Sequence, residues 1–434
     1  MEIFLPFILL ISVCVGVIIA YKFPLFTVFL LFVTGMSIRI FSSTRFFDEE
    51  YSLIGLGVRA EDIVMVSMAI AVFIRVFFTN NIKNYLRTTI GKISLFLFLW
   101  LMWETIRNIT LYGISAPGEF RFRYLILVIP FYVALYFSSE YERKKLVKFL
   151  LFASLIFPFL CLPFIGFLKG WVFGANENRL FPADISLGIM YAFLLLFFAM
   201  RANYLQWKKI LLWLIAIPVF VVLLVDGHRS VWLASGVIII TLIALSEMKV
   251  TKYLWMLIPL FLFVIFIASQ LGISIFDFIA ERTVAFFNPE DDPTATWRLA
   301  IWAVQLEKFL SFPFLGEGFG GYWKIYIPEL GQELDVSPHS LYVQTLVKTG
   351  VIGLGLYLVL VWKSLKQMFD WRKIQDYVLH PEYALVLVGI ITIFAGHSYF
   401  IAYAFDYYTM FYAGLGFAVV NNAQFSSQTT ANLK

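Results

Sequence analysis

Charge is scarce in this chain. Asp, Glu, Lys and Arg make up only 14% of its 434 residues, too few to cover a soluble protein of that size. Nucleic-acid binding would need a basic face, and none is visible. The two cysteines, Cys14 and Cys161, both lie in apolar runs. That argues against a disulfide framework and leaves a packing role. The four histidines show no HExxH or related ligand spacing, so no metal site and no cofactor is expected. The first 20 residues lack a basic n-region and a small-residue cleavage site, which predicts a retained helix. No internal repeat stands out, and the polar–apolar alternation of a membrane barrel is missing.

What the chain does have is apolar bulk. Hydrophobic residues are 61% of the total and Phe alone accounts for 48. Apolar runs of roughly 17 to 23 residues match a spanning helix, whose backbone satisfies its own hydrogen bonds in hydrocarbon. Such runs predict spans at 3–20, 23–41, 60–78, 90–106, 121–138, 148–168, 183–200, 210–226, 231–246, 252–270, 341–362, 382–398 and 404–420. The fold class is an all-α polytopic membrane protein of about 12 to 14 transmembrane helices. Its parts are an N-terminal bundle (1–270), a large helical extracytoplasmic insert with an amphipathic helix (271–338), C-terminal spans (339–420) and a polar tail (421–434).

The net charge of +5 matters less than its distribution. Five alternate connections are basic: Lys83/Arg87/Lys92, Arg143/Lys144/Lys145/Lys148, Arg201/Lys208/Lys209, Lys249/Lys252 and Lys363/Lys366/Arg372/Lys373. The positive-inside rule puts them, and the tail, in the cytoplasm. The 271–338 insert then lies outside, with ten acids against four bases. Arg179, Arg229, Arg298 and His339 come from four parts of the chain, yet all fall at this outer boundary. Three arginines there, where the rule disfavours them, suggest a built anionic site.

Each residue has two readings. Arg229, in Asp226-Gly227-His228-Arg229-Ser230, either snorkels with Asp226 as partner or binds an anionic head group. Arg179 is a solvated boundary arginine or a further anion contact. Asp292 can cap a helix starting at Pro293, on which Arg298, Trp302 and Gln305 share one face. Such a helix would lie near the membrane surface. Arg298 either pairs with an acid such as Glu307 or grips a phosphate through its planar fork. The glycine cluster at 316–321, which includes Gly318 and Gly320, lacks a Walker lysine. It favours a sharp turn after Pro313 and close backbone approach over direct contact with a diphosphate. Ser337 can cap and Pro338 open the next helix, placing His339 at its positive end, where neutral imidazole able to accept a proton is favoured. The alternative is an interfacial structural histidine. His228 could compete for the role. His380 belongs to the cytoplasmic side, and His397 to the outer end of a late span.

Taken together, these segments resemble the O-antigen ligase and O-antigen polymerase superfamily of bacterial envelope enzymes. The resemblance rests on 226–232, on Thr296-Trp297-Arg298 through Trp302, and on Pro313-Phe314-Leu315-Gly316-Glu317-Gly318-Phe319-Gly320. It continues in His339-Ser340-Leu341, followed by Gly350-Val351-Ile352-Gly353-Leu354. It implies a GT-C-like glycosyltransferase of the inner membrane whose donor, a glycan on undecaprenyl diphosphate, is used at the periplasmic face. It also implies diphosphate-binding roles for Arg229 and Arg298, an essential His339, and a further arginine at Arg179. The chain departs from the family pattern in two places. The usual Ser-Arg pair is His228-Arg229, and the residue after the histidine, often Asn, is Ser340.

The expected activity is therefore metal-independent transfer, with inversion, to a sugar hydroxyl of lipid A–core. Joining of lipid-linked repeats by a polymerase is the alternative. A multi-pass transporter is the alternative from another class, but duplicated halves and a midplane ion site are not evident. Membrane lipids surround the chain, and no nucleic-acid partner is expected.

Overall fold

In the computed structural model, the described residues are mainly 4–31, 60–78, 86–112, 131–139, 141–150, 293–318, 324–327, 332–335 and 340–372, with isolated positions between 128 and 269. The spans expected at 210–226, 231–246, 252–270, 382–398 and 404–420 lie wholly or almost wholly outside them, as does most of 148–168 and 183–200.

The numbered elements are α1 (Phe4–Lys22), α2 (Ala60–Phe78), α3 (Thr89–Tyr112), α4 (Pro293–Ser311), β1 (Lys324–Ile327), β2 (Gln332–Asp335) and α5 (Leu341–Arg372). α1 and α2 match the spans read from hydropathy to within two residues. α3 continues six residues beyond the expected 106. Among the described residues, Thr89–Tyr112 and Tyr342–Lys363 are long and apolar enough to cross a membrane. Large apolar side chains also face outward, as with Phe77 (71% exposed) and Phe78 (79%) on α2. Water would penalise that surface, whereas hydrocarbon solvates it. The described part is thus a helical membrane protein.

Small residues set the packing of α1 on α2. Gly16 faces Ser67 so closely that an added Cβ would lie 3.1 Å from the Ser67 Cβ. Such close approach is what drives helix association where lipid supplies no hydrophobic force. Two tyrosines of the 131–136 segment tie the pair from the side. Tyr132 donates to the Ala20 carbonyl (2.6 Å) and Tyr136 to that of Ala71 (3.2 Å). Lys22, Arg75 and the 141–150 helix consequently gather at one end of this group.

The insert is not helical throughout, contrary to the sequence expectation. β1 and β2 pair antiparallel, with Lys324 opposite Asp335 and Ile327 opposite Gln332. Four residues join them, Pro328 first and Gly331 last, a common length and chemistry for a hairpin connection.

A candidate active site at a broken helix

α4 begins at Pro293, the position that its fixed φ and missing N–H favour, directly after Asp292 as expected. Its inward stripe is Arg298, Ile301, Trp302 and Gln305, and Ile301 and Gln305 are fully buried. The opposite face is Leu299, Leu306 and Leu310, the last 73% exposed. Polar groups inside and leucines outside is the arrangement for a helix bathed in lipid or its interface. The shared face expected for Arg298, Trp302 and Gln305 is therefore present. Among the described residues neither buried amide atom of Gln305 has a hydrogen-bond partner, a state rare enough in folded proteins to need a reason.

After Ser311 the chain turns through Pro313 into Gly316 and Gly318, both at positive φ (73° and 98°). This turn docks on α5, which is not a continuous helix. Gly350 adopts φ 66°, ψ −172° and breaks it inside the span. At such a break the backbone loses i to i−4 partners, which is costly where water is absent. The turn supplies replacements. Glu317 N donates to Val347 O (2.8 Å), Gly318 N to Lys348 O (3.1 Å), and Val351 N donates to Pro313 O (2.9 Å). Glycine is required on both sides of the contact. A Cβ on Gly316 would lie 2.5 Å from the Lys348 carbonyl carbon, and one on Gly318 would run into the Asn108 amide. Gly316 N is also engaged, by Phe312 O at 2.8 Å. Three successive N–H groups of the glycine turn thus serve the fold, so they do not form an open anion cradle. Close approach, the first of the two sequence readings, is what Gly316 and Gly318 provide.

α3 clamps the same turn. Arg107 donates from Nη2 to the carbonyls of Leu315 and Gly316, both at 3.1 Å. It also pairs with Glu104 through Nε (3.0 Å) and Nη2 (2.6 Å). Tyr112 Oη donates to Glu317 O at 3.1 Å. Glu104 is fully buried, so Arg107 is what makes its charge tolerable. Arg107→Met should lower stability by about 3 kcal/mol, the usual cost of stranding a buried charge. Adding Glu104→Gln should restore at least half of it. Thermal unfolding in detergent reads both; equal loss in single and double variants would contradict this clamp.

α5 starts at Leu341, where the span was expected to start. Ser340 caps it, with Ser340 Oγ accepting from Val343 N (3.4 Å) and Ser340 O from Gln344 N (2.9 Å). Ser337, Pro338 and His339 lie outside the described residues, and His339 directly precedes the cap in sequence. Among the expected site residues, Arg298, Trp302 and Gly318 are described; His339, Arg229, Arg179, His228 and Gly320 lie outside the described residues. Glu104, Arg107, Asn108 and Gly350 were missed. Charges at i and i+3 inside an apolar span were the available signal for the first two.

Comparison with known proteins places this assembly. Residues 210–358 match the family described as O-antigen ligase. Three Rickettsia proteins, each named "Putative polysaccharide ligase", are similar over parts of their length. That of R. felis is 29% identical over 34% of this chain and 42% of its own. That of R. conorii is 32% identical over 25% and 30%, and that of R. typhi 35% over 20% and 23%. The chain thus spans less than half the length of each of these relatives. The family match begins before Arg229, takes in Arg298, the glycine turn and His339, and ends beyond the break at Gly350. Over this segment, about a third of its length, the chain is similar to the O-antigen ligase family.

Proposed function

We propose that this protein is a GT-C-like glycosyltransferase of the ligase type, moving a glycan from undecaprenyl diphosphate to a sugar hydroxyl of lipid A–core. The reaction takes place at the periplasmic face of the inner membrane, the side on which the insert lies. The observation that carries the reading is the inward stripe of α4. It sets Arg298 and the fully buried, unpartnered amide of Gln305 on one face of a helix whose other face is leucine. A helix so built turns its polar groups toward something polar inside the protein.

In this reading His339 takes the proton of an acceptor hydroxyl as the oxygen attacks the anomeric carbon. The bond from that carbon to the diphosphate oxygen breaks, and the electron pair leaves with undecaprenyl diphosphate. Arg229 and Arg298 hold the diphosphate and stabilise the charge that grows on it; Arg179 adds to the same field, and His228 and Trp302 lie beside it. The leaving group is already activated, so neither a metal nor nucleotide hydrolysis is needed. A single displacement inverts the anomeric configuration. The names of the relatives favour ligase over polymerase.

The test is to give purified full-length protein a defined lipid-linked repeat, with and without lipid A–core, in the absence of any ion gradient. Mass spectrometry should find glycan on the core and no elongation when core is omitted. Elongation without core would make the protein a polymerase. Failure to form either product, with gradient-driven movement of the donor, would make it a transporter.

A further inference from the structure

Away from α4 and its turn, a cavity of about 780 Å³ opens at the end of the α1–α2 group where Lys22, Arg75 and Lys145 converge. Among the described lining residues, Lys22 and Lys145 face one acid, Glu142, whose carboxylate lies 3.4 Å from Lys145 Nζ, and Arg75 stands beside them. The Arg75 guanidinium stands 4.2 Å from the centre of the Tyr136 ring, and Lys145 Nζ 4.2 Å from that of Tyr141. Ring contacts hold a cation in place without neutralising it, and with Arg75 left aside the two lysines still outnumber Glu142 among the described lining residues, so the cavity is positive. Its other wall is apolar. Phe26 (48% exposed) stacks on Phe29 (43%) at 5.9 Å, and Phe29 meets Phe149 edge-on at 6.2 Å.

We propose that this cavity binds the phosphate head group of an anionic phospholipid, with an acyl chain lying along Phe26, Phe29 and Phe149. Two features favour a lipid over a soluble anion. The phenylalanine wall offers nothing to a free phosphate, whereas it continues the surface that hydrocarbon solvates. The cavity also sits at the basic end of its helices, beside Arg143, Lys144 and Lys148 of the 141–150 helix. Under the charge topology this is the cytoplasmic leaflet, where basic pockets between spans meet anionic head groups. The site is thus at the opposite membrane face from the proposed transfer, and it needs no glycan to be occupied.

Native mass spectrometry of the purified full-length chain, titrated with phosphatidylglycerol or phosphatidylcholine, tests the proposal with no glycan donor present, so the transfer reading stands or falls separately. Phosphatidylglycerol should bind roughly a hundredfold more tightly, since each of three cations near such a surface contributes a factor of roughly five. Lys22→Gln with Lys145→Gln should therefore reduce the preference by roughly 25-fold, leaving roughly fivefold. Both lysines are exposed, so the double variant should fold. Adding Arg75→Gln, which also removes the contact with Tyr136, should abolish what preference remains. Inorganic phosphate at constant ionic strength should displace no lipid. A preference unchanged in the double variant overturns the proposal. Displacement by phosphate overturns it too, and identifies a soluble-anion site instead.

Discussion

Gly350→Ala protein is expected to lose more than about 4 kcal/mol of stability, while Gly355→Ala, five residues on in the same helix, should stay within about 1 kcal/mol of the parent. The two positions differ in conformation and in surroundings. Gly350 has φ 66° and ψ −172°, a region nearly closed to residues with a Cβ. Its added methyl would also run into the carbonyl of Phe314 and stand 2.7 Å from Leu315 N. Those are backbone atoms of the turn that supplies the missing hydrogen bonds, so they cannot yield without opening the break. Among the described residues nothing lies within 4 Å of a methyl at Gly355, and alanine there gains helix propensity. Thermal unfolding in detergent, with size-exclusion profiles, reads the difference. Comparable stability in the two variants would show that the break is not clamped as described.

The break also marks where sequence reading stops. A spanning helix must be about 20 apolar residues long, so hydropathy alone located α1 and α2 almost to the residue. α4 was equally legible, because Asp292-Pro293 marks its start and the 3.6-residue period sets Arg298, Trp302 and Gln305 on one face. Hydropathy runs straight through Gly350, however, because a break leaves the apolar content unchanged. What stabilises it comes from residues 313–318 and from Arg107, more than 200 positions away in sequence. Local patterns carry no record of such a partner. The hairpin escaped for another reason: strands of four residues are too short for their alternation to stand out.

His339→Ala and Arg298→Ala should each abolish most of the glycan transfer, by routes that pH separates. A general base typically contributes 10²- to 10⁴-fold, and one lost donor to developing charge about 3 kcal/mol, roughly 10²-fold. The base must be neutral to accept a proton. Parent activity should therefore be present above the histidine pKa, ordinarily about 6.5, and fall as pH drops through it. His339→Ala removes that group, so its residual rate should lose this acid limb. Arg298 holds charge at every working pH, so Arg298→Ala should keep the limb and lower the whole curve. Arg298→Lys should recover part of the rate, since the charge remains but the two-pronged grip on a phosphate does not. The double variant should fall short of the product of the single losses if both groups serve one transition state. Full activity of His339→Ala protein across the pH range, or a product that retains the donor's anomeric configuration, would remove the histidine from the mechanism. The break would then remain a structural feature, with the proton accepted by another group, and His228 beside Arg229 is the next to test.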